Sequence, residues 1–141
     1  MAYKIFIDTN ILLDILDTKR PFSEESQQMW QQVELDEFDA FISESVLTTT
    51  DYILQKTIGR SKRLSILSDL LDYLQVLPCN TAICQKAIKA DFPDLEDAIL
   101  YQIAVENDLD YFISNDYKLL KKRTVTRVPV ISATALLKIS G

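Results

Sequence analysis

Hydrophobic positions along the chain follow two rhythms. Short apolar, β-prone runs at Lys4 to Ile7, Ala40 to Ser43, Gln75 to Leu77, Tyr111 to Ser114 and Val128 to Ile131 predict strands. The longer stretches between them have apolar residues three and four apart, which predicts helices. Ser23 to Glu34 reads as a helix capped by Ser23, with Pro21 just ahead of it. Ser45 to Thr57 and Ser61 to Leu74 read as a helical pair broken at Gly59, and Thr81 to Ala90 stops ahead of Pro93. Asp94 to Asn107 is the clearest helix, and Asp116 to Arg123 and Ala133 to Lys138 are shorter ones. Strands alternating with helices imply an α/β fold, a parallel sheet covered by helices on both faces. In open sheets of this kind, ligands bind beyond the carboxyl ends of the strands.

Those strand ends carry acids. Asp8 follows Lys4-Ile5-Phe6-Ile7 directly, and Asn115-Asp116 follow the strand-like Tyr111-Phe112-Ile113-Ser114. Two strands therefore deliver an aspartate to one edge of the sheet. Either residue also makes an ordinary helix cap. The helix from Asp94 adds to the pattern. At roughly 100° per residue, Glu96, Gln102 and Glu106 share a polar arc, while Asp94 and Asp97 project among Tyr101, Ala104 and Val105. Asp94 reads equally as a cap or as a charge favoured at the helix start. A carboxylate on a packed face such as Asp97 is costly unless it is paired or coordinates a metal. Carboxylates converging from these elements repel unless a cation lies among them, and all-oxygen donors suit Mg²⁺ or Mn²⁺ better than zinc. Such a site activates water and stabilises charge on a phosphoryl group.

Composition narrows the chemistry further. The 141 residues suit one domain, taken as residues 1–141, and the 48% hydrophobic content excludes a disordered chain. There is no histidine, which removes Ser-His-Asp and Cys-His catalysis. The only glycines are Gly59 and Gly141, so no glycine loop cradles phosphates. Cys79 and Cys84 are spaced too widely for a CxxC motif and read as reduced, partly buried packing residues. No apolar run is long enough to span a membrane, and Met1 leads straight into a strand without a signal-peptide pattern, which predicts a cytoplasmic protein. A net charge of −6 argues against coating nucleic acid electrostatically. The cations are clustered, however: Lys118, Lys121, Lys122, Arg123 and Arg127 form one group, and Lys56, Arg60, Lys62 and Arg63 a second. Asp14 and Asp17 read as surface or rim residues of the first helix, and Trp30, Tyr52 and Tyr73 as packing residues.

Four stretches together resemble the PIN domain, the metal-dependent nuclease fold that includes the VapC toxins of bacterial toxin–antitoxin pairs. They are FIDTNILLDIL at 6 to 16, ISESVLTTTDYILQK at 42 to 56, DFPDLEDAILYQIAVENDLDYFISND at 91 to 116 and VPVISATALL at 128 to 137, in the family's order. The resemblance implies a three-layer α/β/α sandwich around a parallel sheet of four or five strands. It places metal-binding acids at Asp8, Asp97 and Asp116, with Asp94 an acidic companion one turn before Asp97 and Asn10 the polar companion of Asp8. It also implies hydrolysis of an RNA phosphodiester with Mg²⁺ or Mn²⁺. Asn10, Ser114 and Thr9 are candidates to orient the carboxylates by hydrogen bonds, with turn and capping duties the open alternative. Lys118, Lys121, Lys122 and Arg123 are candidates to meet the RNA backbone or to form a solvated helix face. The paired helices from 45 to 74 fall where such proteins dimerise or meet an antitoxin.

One position departs from the family pattern. The second acidic residue, usually glutamate, aligns with Thr49; Asp51 lies roughly 200° further round the helix, and Glu44 is the other conceivable substitute. Thr49 therefore keeps open a second reading, a PIN fold that binds RNA or a protein without cleaving. A phosphatase of the haloacid dehalogenase type would need Asp-x-Asp after the first strand, where Asn10 stands, and a receiver domain would need an acidic pair there.

Overall fold

In the computed structural model, which describes residues 2–121 and 127–140, five strands form one parallel sheet in the order β3-β2-β1-β4-β5. The strands are β1 (Tyr3–Ile7), β2 (Phe38–Ser43), β3 (Leu74–Leu77), β4 (Tyr111–Ile113) and β5 (Val130–Ile131). Among the described residues, eight helices connect or follow them: α1 (Thr9–Leu16), α2 (Ser23–Glu34), α3 (Glu44–Leu54), α4 (Arg60–Leu71), α5 (Thr81–Lys89), α6 (Leu95–Glu106), α7 (Tyr117–Leu120) and α8 (Ala133–Ser140). α1 packs on α2 and α3, α2 on α8, and α3 on α4, while α5 and α6 pair with each other. These groups cover the sheet as the layers of an α/β/α sandwich.

The central strand shows why the chain folds this way. Ile5, Phe6 and Ile7 are all fully buried, as a strand covered on both faces requires. Phe6 stacks on Phe112 of β4 with ring centroids 5.2 Å apart. α6 is held by Tyr101, whose hydroxyl donates to the Val128 carbonyl at 2.9 Å and accepts from the Val128 amide at 2.9 Å. That pair of bonds fixes the approach to β5, which is shorter than the predicted Val128 to Ile131 because Val128 bonds to a side chain.

Aspartate takes the place of glycine at two helix ends. Asp36 (φ 60°) and Asp108 (φ 51°) adopt the left-handed conformation just past α2 and α6. The amides of Asp36 and Glu37 reach the Val33 and Gln32 carbonyls, and those of Asp108 and Leu109 reach Val105 and Ala104, closing Schellman motifs. The cap expected of Ser23 is absent. α2 starts after Phe22 without a side-chain cap, and the buried Ser23 Oγ accepts from Gln27 Nε2 at 3.1 Å. Tyr52, expected to pack, is 66% exposed.

The strand order decides where ligands bind. From β1 the chain builds outward through β2 and β3, then returns to the other side of β1 with β4 and β5. The direction reverses between β1 and β4, and such a switch point opens a crevice beyond the strand ends. Ile7 pairs with Ile113, so Asp8 and Ser114 emerge side by side into that crevice.

Candidate active site

Asp8 caps α1 and has partners at both carboxylate oxygens. Oδ1 accepts the Thr9 amide at 2.8 Å, and Oδ2 accepts the Ser114 hydroxyl at 2.8 Å and Asn10 Nδ2 at 3.1 Å. Capping and site-building are thus one geometry, since the bond to Thr9 aims the other oxygen across to β4. Asn10 Nδ2 also lies 3.2 Å from Ser114 Oγ, and its Oδ1 accepts the Asn115 amide at 3.0 Å. Ser114, fully buried, accepts the Asp116 amide at 3.0 Å, and Asp116 caps α7 by accepting the Lys118 amide at 2.9 Å. Asp8-Thr9-Asn10 and Ser114-Asn115-Asp116 are therefore tied together across the switch point.

The first turn of α6 faces this unit. Asp94 is exposed and caps α6, accepting the Asp97 amide at 3.3 Å, so its open cap reading holds. Asp97 is half-buried, and its carboxyl is pushed up to about 7, mainly by burial and then by the negative charges of Asp8, Asp94, Asp116 and Glu96. Asp8 is raised too, chiefly by burial, with Asp116 and Glu96 adding to it and the bonds from Ser114 and Thr9 working against it. The fold thus brings Asp8, Asp94 and Asp116 within electrostatic reach of Asp97. Among the described residues, no three His, Cys, Asp or Glu side chains already surround one metal position.

Glu96 is the acid that helical projection missed. It is exposed on the polar arc with Gln102 and Glu106, and those two pair, with Gln102 Nε2 donating to Glu106 at 3.0 Å. Glu96, however, acts on both Asp8 and Asp97. It lies next to Asp97 at the helix entrance, where nearness to the switch point matters more than angle round the axis. That adjacency was the available signal. Glu96 also lines a cavity of 790 Å³ together with Glu44, Thr48 and Thr49. Asp51 is committed elsewhere, bonded by Arg63 of α4.

Asp14 requires a correction. Read as a rim residue, it is 2% exposed, with Oδ1 bonded by Arg20 Nε at 2.6 Å and Oδ2 by Asn115 Nδ2 at 2.8 Å. The Asn115 amide that it holds belongs to the turn carrying Asp116, so α1 secures that turn twice, through Asn10 and through Asp14. Asp17 is exposed, as expected. Of the basic candidates, Lys118 and Lys121 are exposed, and Lys121 Nζ lies 4.3 Å from the centre of the Tyr117 ring. Lys122 and Arg123 lie outside the described residues.

A family model described as PIN domain matches residues 4–118. The chain belongs to the PIN domain family. It is 32% identical over 118 residues to Ribonuclease VapC1 of Aquifex aeolicus, a match spanning 80% of this chain and 81% of that one. Among solved structures, a chain of the VapBC2 complex of Rickettsia felis bound to a promoter DNA fragment superposes with a TM-score of 0.68 at 13% identity, covering 92% of this chain and 98% of that one. VapC20 of Mycobacterium tuberculosis, a sarcin-ricin loop cleaving toxin, gives 0.66 at 14% identity, covering 83% and 95%. At those identities the likeness is one of fold. For this PIN domain it bears out the parallel sheet and its helical layers.

Proposed function

We propose that this PIN-domain protein is a ribonuclease that hydrolyses RNA phosphodiester bonds with a bound Mg²⁺ or Mn²⁺, as the toxin of a toxin–antitoxin pair. The observation that carries the reading is the convergence of Asp8, Asp97 and Asp116 at the switch point of a chain 32% identical to a ribonuclease over four-fifths of its length. The donor chemistry fits a hard divalent ion, because the cleft offers carboxylates and the chain has no histidine. The raised Asp97 carboxyl supports the same fit, since a cation would offset both the burial and the neighbouring negative charges that raise it.

Asp8, Asp97 and Asp116 hold the ion, with Asp94 adding charge from the start of α6. Once bound, the ion supplies a water activated for attack and a counter-charge for the phosphoryl group. Ser114 and Asn10 orient the Asp8 carboxylate through their bonds to its Oδ2. Asp97 must give up its proton to accept the cation. Glu96, rather than Glu44 or Asp51, supplies the negative charge that Thr49 lacks. Lys118 and Lys121, with Lys122 and Arg123, contact the RNA backbone. Exposed Tyr52, Ile53, Leu64 and Leu71 on α3 and α4 support that face as the seat of a second copy or of the antitoxin. Among the described residues no helix is long and apolar enough to cross a membrane, and we place the protein in the cytoplasm with its RNA.

Incubation of a mixed RNA pool with the protein and Mn²⁺ tests the reading. Cleavage that stops with EDTA and with Asp97→Asn supports it; cleavage that is insensitive to both overturns it. The second reading, a PIN fold that binds RNA or a protein without cutting, is favoured by Thr49 alone. It predicts RNA retention without Mn²⁺-dependent products.

A further inference from the structure

The wall of the cavity beside the acidic edge carries chemistry that hydrolysis does not use. Cys79 ends the segment leaving β3, Asn80 caps α5 through a 2.9 Å bond to the Ile83 amide, and Cys84 lies in the first turns of that helix. The cap folds the chain back on itself, bringing the Cys79 and Cys84 sulfurs to 3.7 Å. Both are free thiols; Cys84 is half-buried, as the sequence predicts, whereas Cys79, expected to be partly buried, is exposed. Both line the 790 Å³ cavity that Thr49 and Glu96 also line.

We propose that Cys79 and Cys84 form a peroxide-oxidisable dithiol, closing to an intramolecular disulfide on the wall of the active cleft. Cys79 is the accessible partner and reacts first. Its thiolate attacks one oxygen of a hydroperoxide, the O–O bond breaks, and the sulfur leaves as a sulfenic acid while the other oxygen departs as alcohol or water. The Cys84 sulfur then attacks the Cys79 sulfur, the S–O bond breaks, and water is released. Two thiols and one hydroperoxide thus give one disulfide, one water and one alcohol (a second water when the oxidant is hydrogen peroxide). A disulfide needs its sulfurs about 2 Å apart, so the pair must close by less than 2 Å. No third His, Cys, Asp or Glu among the described residues joins the pair as a metal shell, which favours oxidation over chelation. Partial desolvation of the sulfur and the neighbouring thiol raise the Cys79 thiol above its ordinary value, so the reaction is slow beside that of an activated thiolate. The site does not depend on the ribonuclease reading.

The test uses the full chain, reduced, freed of reductant and treated with hydrogen peroxide. The expected product is a monomer that has lost two hydrogens in intact mass and both titratable thiols, with a proteolytic peptide joining positions 79 and 84. Cys84→Ser, which cannot close the bond, should accumulate a dimedone-trappable sulfenic acid at Cys79. Oxidised monomer that instead gains oxygen at either sulfur, a disulfide-linked dimer as the main product, or two thiols still free would each overturn the proposal. So would a Cys84→Ser protein, folded by circular dichroism, that traps no dimedone at Cys79.

Discussion

Asp97→Asn should make the metal-free protein more stable while removing its response to divalent ions. The folded protein holds the Asp97 proton up to about pH 7, against an ordinary value of 3.8. A group whose folded-state value is raised favours folding when protonated. Its contribution is therefore complete below 3.8, falls as pH climbs from 3.8 to about 7, and is a constant penalty above that. Without screening, that interval is worth about 4 kcal/mol at 1.36 kcal/mol per pH unit. Asp97 is only half-buried, and water screening reduces the penalty to about 1–2 kcal/mol. Asparagine keeps the shape and removes the charge, so at about pH 8 the variant should melt about 3–7 °C higher than the metal-free wild type. Near pH 4 the difference should nearly vanish, because the wild-type carboxyl is then protonated in the folded state. Magnesium ion should raise the wild-type melting temperature at pH 8 and leave that of the variant almost unmoved. Calorimetric or fluorescence melts across that pH range measure all three effects. A variant that melts at or below wild type at pH 8, or whose advantage is as large at pH 4, refutes the electrostatic reasoning.

Three further outcomes follow from the same geometry. Ser114→Ala removes the shortest donor to the buried Asp8 oxygen and the acceptor for the Asp116 amide; urea denaturation should show a loss of about 1–3 kcal/mol, and an unchanged midpoint would contradict the bonding. Asp14→Ala strips Arg20 and Asn115 of their shared partner. It should cost about 1–3 kcal/mol, less than a fully buried pair because Arg20 can turn to solvent, and a change within about 0.5 kcal/mol would mark Asp14 as a surface residue after all. Glu96→Gln should weaken Mn²⁺ binding in titration calorimetry more than Glu44→Gln does, and the reverse order would return the substitute's role to Glu44.

Much of the candidate site was legible because its placement obeys local rules. Ile5-Phe6-Ile7 and Phe112-Ile113 are buried strands, and the residue after a parallel strand belongs to the ligand-binding edge, so Asp8 and Asp116 could be found without coordinates. Helical periodicity located α6 to within a residue at each end and marked Asp97 as an acid on a packed face. Three features depended on pairing that sequence order does not carry. That β1 lies at the centre, with the switch point between β1 and β4, is decided by which strands hydrogen-bond. Asp14 looked solvated because its partners are six and 101 residues away. Glu96 is exposed, as its place on the polar arc predicts, but its reach to Asp8 and Asp97 depends on height along the axis, which a helical wheel ignores. The Ser23 cap failed for a related reason, since its hydroxyl found Gln27 one turn on rather than a free amide.

The central claim is that the acids at the β1–β4 switch point form one divalent-metal site, and Mn²⁺ titration of the wild type, Asp8→Asn and Asp97→Asn by calorimetry tests it most directly. The account predicts one saturable binding event in the wild type, lost or strongly weakened in both variants while their far-ultraviolet circular dichroism stays native. Equal Mn²⁺ binding by all three folded proteins would contradict it.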